Sequence, residues 1–339
     1  ALHRITEAVD AIQSTASSHQ RTFVIEVMGR RCGYLALMGA ISTGANFVLV
    51  PENPPQPGWE DVMCDVLSSG RSIGRRANVV IVAEGVRDTT GKEISAQHVR
   101  EVLEDRLAED ARVTILGHVQ RGGAPSAFDR FLGTILGHAA VQRVLDDPPD
   151  AEPQLIGIRG HQVVSSPLMD CVRRTRSIGD VIADGDVDRA MELRGGSFRS
   201  SYALLRTLVR SRPRATPENT RRLRLGVMHA GGPSPGMNAA VRVAVRVAFA
   251  RGHEVVGIRR GFRGLLEDDV VELDWMSVSG WVSRPGAELG TSRRLPRDDE
   301  FVRVAATAEQ HGLDGIVLVG GWSGYVGAHG LEAQAARRG

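Results

Sequence analysis

The sequence predicts an α/β fold in two units, each built on a doubly wound, mostly parallel sheet. Three observations predict it. Short β-rich runs alternate with helical stretches, and the runs are apolar at successive positions, as strands buried on both faces are. A stretch dense in Pro, Asn, Thr and charge, Ser211 to Arg224, is followed by a second strand, glycine turn and helix.

Leu2, Ile5, Val9 and Ile12 recur at helical spacing and open the chain with an amphipathic helix. Buried strands are expected at Phe23 to Val27, Phe47 to Val50, Val79 to Ala83, Val113 to Leu116 and Leu155 to Ile158, with helices between them. From Ser166 to Val209 the pattern is helical without strands. The second unit opens at LRLGVMHAGG, continues through a helix from Met237 to Ala250 and a strand from Glu254 to Ile258, and reaches GIVLVGG before a last helix. Because residue 1 already lies in a helix and the second unit has few strands, the chain reads as part of something longer.

Composition narrows the function classes. Lys plus Arg number 42 against 40 for Asp plus Glu in 339 residues, so a net charge of +2 gives no reason to expect nucleic acid as a partner. No apolar run has the length of a membrane span. Lys92 is the only lysine, and the positive charge is otherwise arginine, which suits phosphate recognition. Cys32, Cys64 and Cys171 are widely spaced and form no CxxC, which points to a reducing, cytoplasmic setting without zinc.

The most informative string is RVTILGHVQRGGAPSAFDR, from Arg112 to Arg130. A strand ends near Gly117, and His118, Val119, Gln120 and Arg121 follow beside Gly122 and Gly123, whose uncovered amides let a phosphate approach closely. This resembles the signature of the phosphofructokinase family: Arg, four residues, Gly-His, one residue, Gln-Arg-Gly-Gly, five residues, Asp-Arg. The segment QRTFVIEVMGRRCGYLAL is similar to the family's sugar loop and places Arg21, Met28, Gly29 and Arg30 at fructose 6-phosphate positions; IVAEG places Glu84 at its sugar carboxylate.

The resemblance implies a phosphofructokinase-type fold and distinct roles. Arg21, Arg112, His118 and Arg121 would surround the sugar's phosphate, Arg21 and Arg112 entering the pocket of a neighbouring subunit, so a homo-oligomer, expected as a tetramer, is implied. Glu84 would receive sugar hydroxyls, Met28 and Gly29 would shape the pocket, and Arg30 would neutralise charge on the transferring phosphoryl group. PLMDCVRRTR and MELRGGSF are similar to the connector of the long, tandemly duplicated form, giving a sugar-phosphate lobe at 1 to about 165, a connector at 166–222 and a nucleotide-type lobe of a regulatory half at 223–339.

In that second unit, Gly231-Gly232 and Gly320-Gly321 resemble the family's phosphate turns. Trp322 and Pro233 stand where a catalytic half carries aspartate, so the magnesium ligand for ATP is missing and the turns are degenerate. LGTSRRLP resembles the regulatory half's sugar-bisphosphate loop, with Arg293 at the contacting position. The family's Thr-Ile-Asp-Asn-Asp segment, which supplies the general base, is absent from these residues. The implied activity is allosterically regulated, glycolytic transfer of phosphoryl from MgATP to fructose 6-phosphate in the complete enzyme, this portion being inactive alone. A diphosphate-dependent enzyme and a non-catalytic sugar-phosphate-binding subunit are the alternatives.

Overall fold

The computed structural model describes residues 1–19, 21–218 and 220–338. Packing divides them into two units, one of Ala1–Leu67 with Arg76–Ala203, the other of Ser68–Arg75 with the described residues from Leu204 onward.

Along the first part of the chain run α1 (Leu2–His19), β1 (Thr22–Val27), α2 (Tyr34–Thr43), β2 (Phe47–Leu49), α3 (Trp59–Ser72), β3 (Asn78–Ala83), α4 (Ala96–Leu107) and β4 (Ala111–Ile115). A short 3-10 helix, Gly117–Arg121, leads to α5 (Ala127–Asp146), β5 (Gln154–Arg159), β6 (Gln162–Pro167), α6 (Leu168–Ala183), α7 (Val187–Arg194) and α8 (Gly196–Val209). The main sheet has the order β2-β3-β1-β4, and every pairing in it is parallel.

Central placement of β1 and β3 explains their sequences. Val24 and Ile25 point to opposite faces of the sheet, and both are fully buried, so both faces are covered. All six residues of β3 are buried. Ile5 and Val9 of α1 and Ala36, Leu37 and Ala40 of α2 join this core. The two helices pack against each other at Gly39, where a Cβ would stand 2.9 Å from Ile5 Cγ2.

The segment at Leu155 to Ile158 is a strand, but it does not extend the parallel sheet as expected. It pairs antiparallel with β6 in a separate two-stranded ribbon. Gly160 and His161, with φ of 56° and 66°, make a two-residue turn whose twist suits a hairpin. The helical region of the connector accordingly starts at Leu168, after a strand that the helical pattern did not reveal.

The second unit contains β7 (Arg224–Ala230), α9 (Met237–Ala250), β8 (Glu254–Ile258), α10 (Phe262–Glu267), β9 (Val270–Leu273), α11 (Phe301–Gln310), β10 (Gly315–Gly320) and α12 (Trp322–Arg338). Its sheet order is β10-β7-β8-β9, parallel except for the edge strand β9. Val227, Val241, Val245 and Val255 pack one cluster, and Met228, Ile258, Phe262 and Leu265 another. Among the described residues no helix is long and apolar enough to cross a membrane.

Ile5 fills the space that Gly39 leaves, so Ile5→Ala should open a cavity and lower unfolding free energy by about 2–4 kcal/mol. Urea titration of both proteins measures it; a change below about 1 kcal/mol would mean that α1 is not seated in the core.

Candidate functional site

Three neighbouring parallel strands deliver the expected sugar residues to one edge. β1 ends at Val27 and is followed by Met28, Gly29 and Arg30; β3 ends at Ala83 before Glu84; β4 ends at Ile115 before the 3-10 turn with His118 and Arg121. Carboxyl ends of parallel strands are where such sheets bind ligands. The pairing continues past the strands, Glu84 N donating to Val27 O at 2.8 Å and Leu116 N to Glu26 O at 3.1 Å.

Gln120 welds two of these ends together. Its Oε1 accepts from Met28 N at 3.0 Å and its Nε2 donates to Met28 O at 3.2 Å, so the side-chain amide pairs with the backbone as another strand would. With 2% of its surface exposed, it positions Met28. His118, Val119 and Arg121 on the same turn are exposed. The turn is steadied by Arg4 of α1, whose Nε donates to Gly122 O at 3.3 Å, while at Gly123 a Cβ would stand 1.9 Å from Arg4 Nη2. Asp129 closes a capping box with Ser126 at the start of α5; hydrogen bonds from the Ser126 backbone and hydroxyl hold its carboxyl below the usual range.

Across this edge, Glu84 Oε2 receives the amides of Gly29 at 3.3 Å and Arg30 at 3.5 Å. Gly29 is required there, because a Cβ would meet Cys32 O at 2.2 Å. Arg30, His118 and Arg121 are exposed and make no side-chain hydrogen bond or ion pair with another described residue. Three cationic or protonatable groups without internal partners beside one carboxylate suit a ligand that carries both an anion and hydroxyls.

Arg21 and Arg112 do not join this group. β1 pairs with β4 so that Thr22 faces Ala111 and Phe23 faces Arg112, which puts both arginines at the amino ends of their strands. That is one strand length from His118, on the order of 15–20 Å. There they share Asp110, Arg21 Nε at 2.6 Å and Arg112 Nη2 at 3.0 Å. The expected ring of four around one phosphate is therefore not formed within a single chain.

In the second unit, Gly231-Gly232 after β7 and Gly320-Gly321 at the end of β10 lie side by side, since Gly320 pairs with Ala230. A Cβ on Gly320 would meet Ala230 O at 2.3 Å. Gly231 N donates to Ser292 O at 2.9 Å and Thr291 Oγ1 donates to Gly231 O at 2.8 Å, which brings Arg293 Nη2 to 3.3 Å from where a Gly232 Cβ would be. Trp322 is 79% exposed at the start of α12, and neither α9 nor α12 has an acidic residue in its first turn. Beneath these turns the His229 ring is wholly buried, its Nε2 3.2 Å from Met237 O.

The family model for phosphofructokinase matches residues 1–144 and 224–337. The chain belongs to the phosphofructokinase family. It is 44% identical over 338 residues to the muscle-type ATP-dependent 6-phosphofructokinase of Canis lupus familiaris, covering 100% of this chain and 43% of that protein. The Homo sapiens liver type is 44% identical over 327 residues, or 96% of this chain and 41% of that one. The solved phosphofructokinase of Saccharomyces cerevisiae superposes with a TM-score of 0.92 at 37% identity, covering 98% of this chain and 44% of that chain. This chain thus spans less than half the length of the curated phosphofructokinases it matches.

Two features of this phosphofructokinase chain escaped the sequence reading. One is a buried pair, Glu52 with Arg194, under the Arg30 loop. The other is a set of arginines around Trp275, with Arg246 at 3.1 Å and Arg75 at 5.3 Å from the ring centroid. Burial first, then repulsion from Arg242, pushes Arg246 down to about 8 and Arg75 down to about 10. Arg242 and Arg246, one helical turn apart on a helix whose only other polar residue is Asn238, were the available signal.

Burial also pushes the His229 imidazole below its ordinary value of 6.5. The unfolded chain then binds the proton better, so stability is full above about pH 6.5 and falls as pH drops through the folded pKa. Unfolding titrations between pH 7.5 and about 5 should show this loss reduced in His229→Asn; equal slopes in both proteins would mean that His229 is not held neutral.

Proposed function

We propose that this chain carries the fructose 6-phosphate site of an ATP-dependent 6-phosphofructokinase, together with the nucleotide-type lobe of a second, regulatory half. The observation that carries the reading is the meeting of Glu84, Met28-Gly29-Arg30 and His118-Arg121 at adjacent strand ends. The names of relatives 44% identical across 96% or more of this chain support it.

Each side chain has a task that its geometry allows. His118 and Arg121, lacking internal partners, offer charge-assisted hydrogen bonds to the sugar's phosphate, replacing the water that a dianion loses on binding. Glu84 holds the loop amides with Oε2, which leaves Oε1 for a sugar hydroxyl. Arg30, whose amide lies against Glu84, would neutralise charge on the transferring phosphoryl group, where positioning and electrostatics supply most of the catalysis. Gln120 acts through Met28. Arg21 and Arg112, a strand length away, would serve the pocket of a second copy, which requires a homo-oligomer, expected as a tetramer.

The division into a sugar-phosphate lobe at 1–165, a connector at 166–222 and a regulatory lobe at 223–339 belongs to the same proposal. So do the cytoplasmic, glycolytic setting and a sugar-bisphosphate effector held by Arg293 beside Gly231-Gly232 and Gly320-Gly321. ATP is the phosphoryl donor by the relatives' names. The residues of these turns do not fit its magnesium, because Trp322 and Pro233 offer no oxygen anion. This chain therefore binds and orients the sugar phosphate, and the proton acceptor for the sugar hydroxyl is not among its assigned residues.

Arg121→Ala should weaken fructose 6-phosphate binding about ten- to one-hundred-fold, the loss of one contact to a charged group. Arg130→Ala, whose Nε serves Pro125 O at 3.2 Å, should change it little. Calorimetric titration of both variants checks the site; equal effects, or none from Arg121→Ala, would remove the 3-10 turn from the pocket.

A further inference from the structure

Beneath the loop that carries Arg30 lies a buried ion pair with no part in the contacts described so far. Glu52, three residues past β2, has no exposed side-chain surface. It accepts Gly33 N–H with both carboxylate oxygens at 3.0 Å, and Arg194 Nε donates to Oε1 at 2.6 Å. The same guanidinium donates through Nη2 to Arg31 O at 2.8 Å. Arg194 is the last residue of α7, distant in sequence from the loop, and 17% of its side chain is exposed. A second tie joins the same segment to α8, Asn53 Nδ2 donating to Tyr202 Oη at 2.5 Å.

The loop needs such support. Arg30 and Arg31 are consecutive non-glycine residues with φ of 45° and 64°, a conformation that persists only where surrounding contacts over-determine it. On the pocket side the amides of Gly29 and Arg30 meet only the long bonds to Glu84. On the inner side, the carbonyl of Arg31 and the amide of Gly33 are both gripped by the Glu52–Arg194 pair. An arginine can do this because its planar fork presents Nε and Nη2 to two separate acceptors; a lysine offers one ammonium centre.

We propose that Arg194 is a positioning residue for the sugar-phosphate site. Its fork fixes Arg31 directly and Gly33 through Glu52, and so holds Arg30 and the Gly29 amide at the opening beside Glu84. The inference rests on the sugar-phosphate reading of that opening and adds a residue outside it. Inorganic phosphate, met by His118 and Arg121 on the 3-10 turn, does not need the loop; fructose 6-phosphate does.

Two readouts test this in Arg194→Lys, which keeps a positive charge opposite Glu52, and in the double variant Glu52→Gln/Arg194→Met, which removes both charges so that neither is left buried alone. Amide hydrogen exchange should quicken at Cys32 and Gly33 in both variants, with β1 and β3 unchanged. Calorimetry should show fructose 6-phosphate binding about tenfold weaker, the loss of one hydrogen bond to a charged group, with inorganic phosphate binding unchanged. Unchanged exchange in the loop overturns the inference whatever the sugar does. Faster exchange with intact fructose 6-phosphate affinity overturns it as well, and so does equal weakening of both ligands, which is what general damage to the fold would give. A wild-type chain that binds no fructose 6-phosphate overturns the function proposed above, and the positioning role falls with it; that failure is seen in the wild type alone.

Discussion

The site depends on β1 being hydrogen-bonded along both edges, to β3 on one side and β4 on the other. Parallel register brings all three strands to an end within a residue or two of one another, so the segments that follow start from a common line. Glu84 and Leu116 prolong the ladders for one more bond each, and the Gln120 amide supplies a further rung where the backbone has already turned away. A slip of one residue would turn the strand's side chains to the opposite faces and separate Glu84 from the Gly29 amide.

That constraint accounts for which parts of the molecule were legible in the sequence. Core strands β1 and β3 were readable because strands buried on both faces must be apolar at nearly every position, as Val79 to Ala83 are. The helix Met237–Ala250 and the strand Glu254–Ile258 were readable from period and length, and the structure has them with those bounds. The β5–β6 ribbon was not read as such. None of its residues is buried, so its two faces carry no clean apolar alternation, and the helical cues that begin at Ser166 overlap the end of its second strand. The edge strand β9 is four residues long, too short for its alternation to stand out.

Within the candidate site, spacing along a motif reported residue identity better than spatial role. Gln120 and His118 are two residues apart on one turn, yet one is buried in a backbone-like pair and the other is open to ligand. Arg112 and Arg121 belong to the same string and lie at opposite ends of β4. Contacts made across long sequence separation, such as Arg194 to Arg31 and Glu52, leave no local pattern at all. In the second unit the absence of a carboxylate at Trp322 was visible directly, whereas the seating of Arg293 against Gly232 depends on the Ser292 and Thr291 bonds to Gly231.

In the function proposed above, one copy's strand ends hold the sugar while Arg21 and Arg112 complete the phosphate site of another. Mixing two variants tests it most directly: Arg21→Ala/Arg112→Ala, which keeps an intact receiving edge, and Arg121→Ala, which keeps the two donated arginines. Each alone should bind fructose 6-phosphate weakly, and co-folded mixtures should regain high-affinity sites in which an intact edge faces an intact pair. Recovery of a high-affinity fraction, read by calorimetric titration of the mixture, is the predicted result. Binding in the mixture no better than the average of the two variants would contradict a site shared between copies.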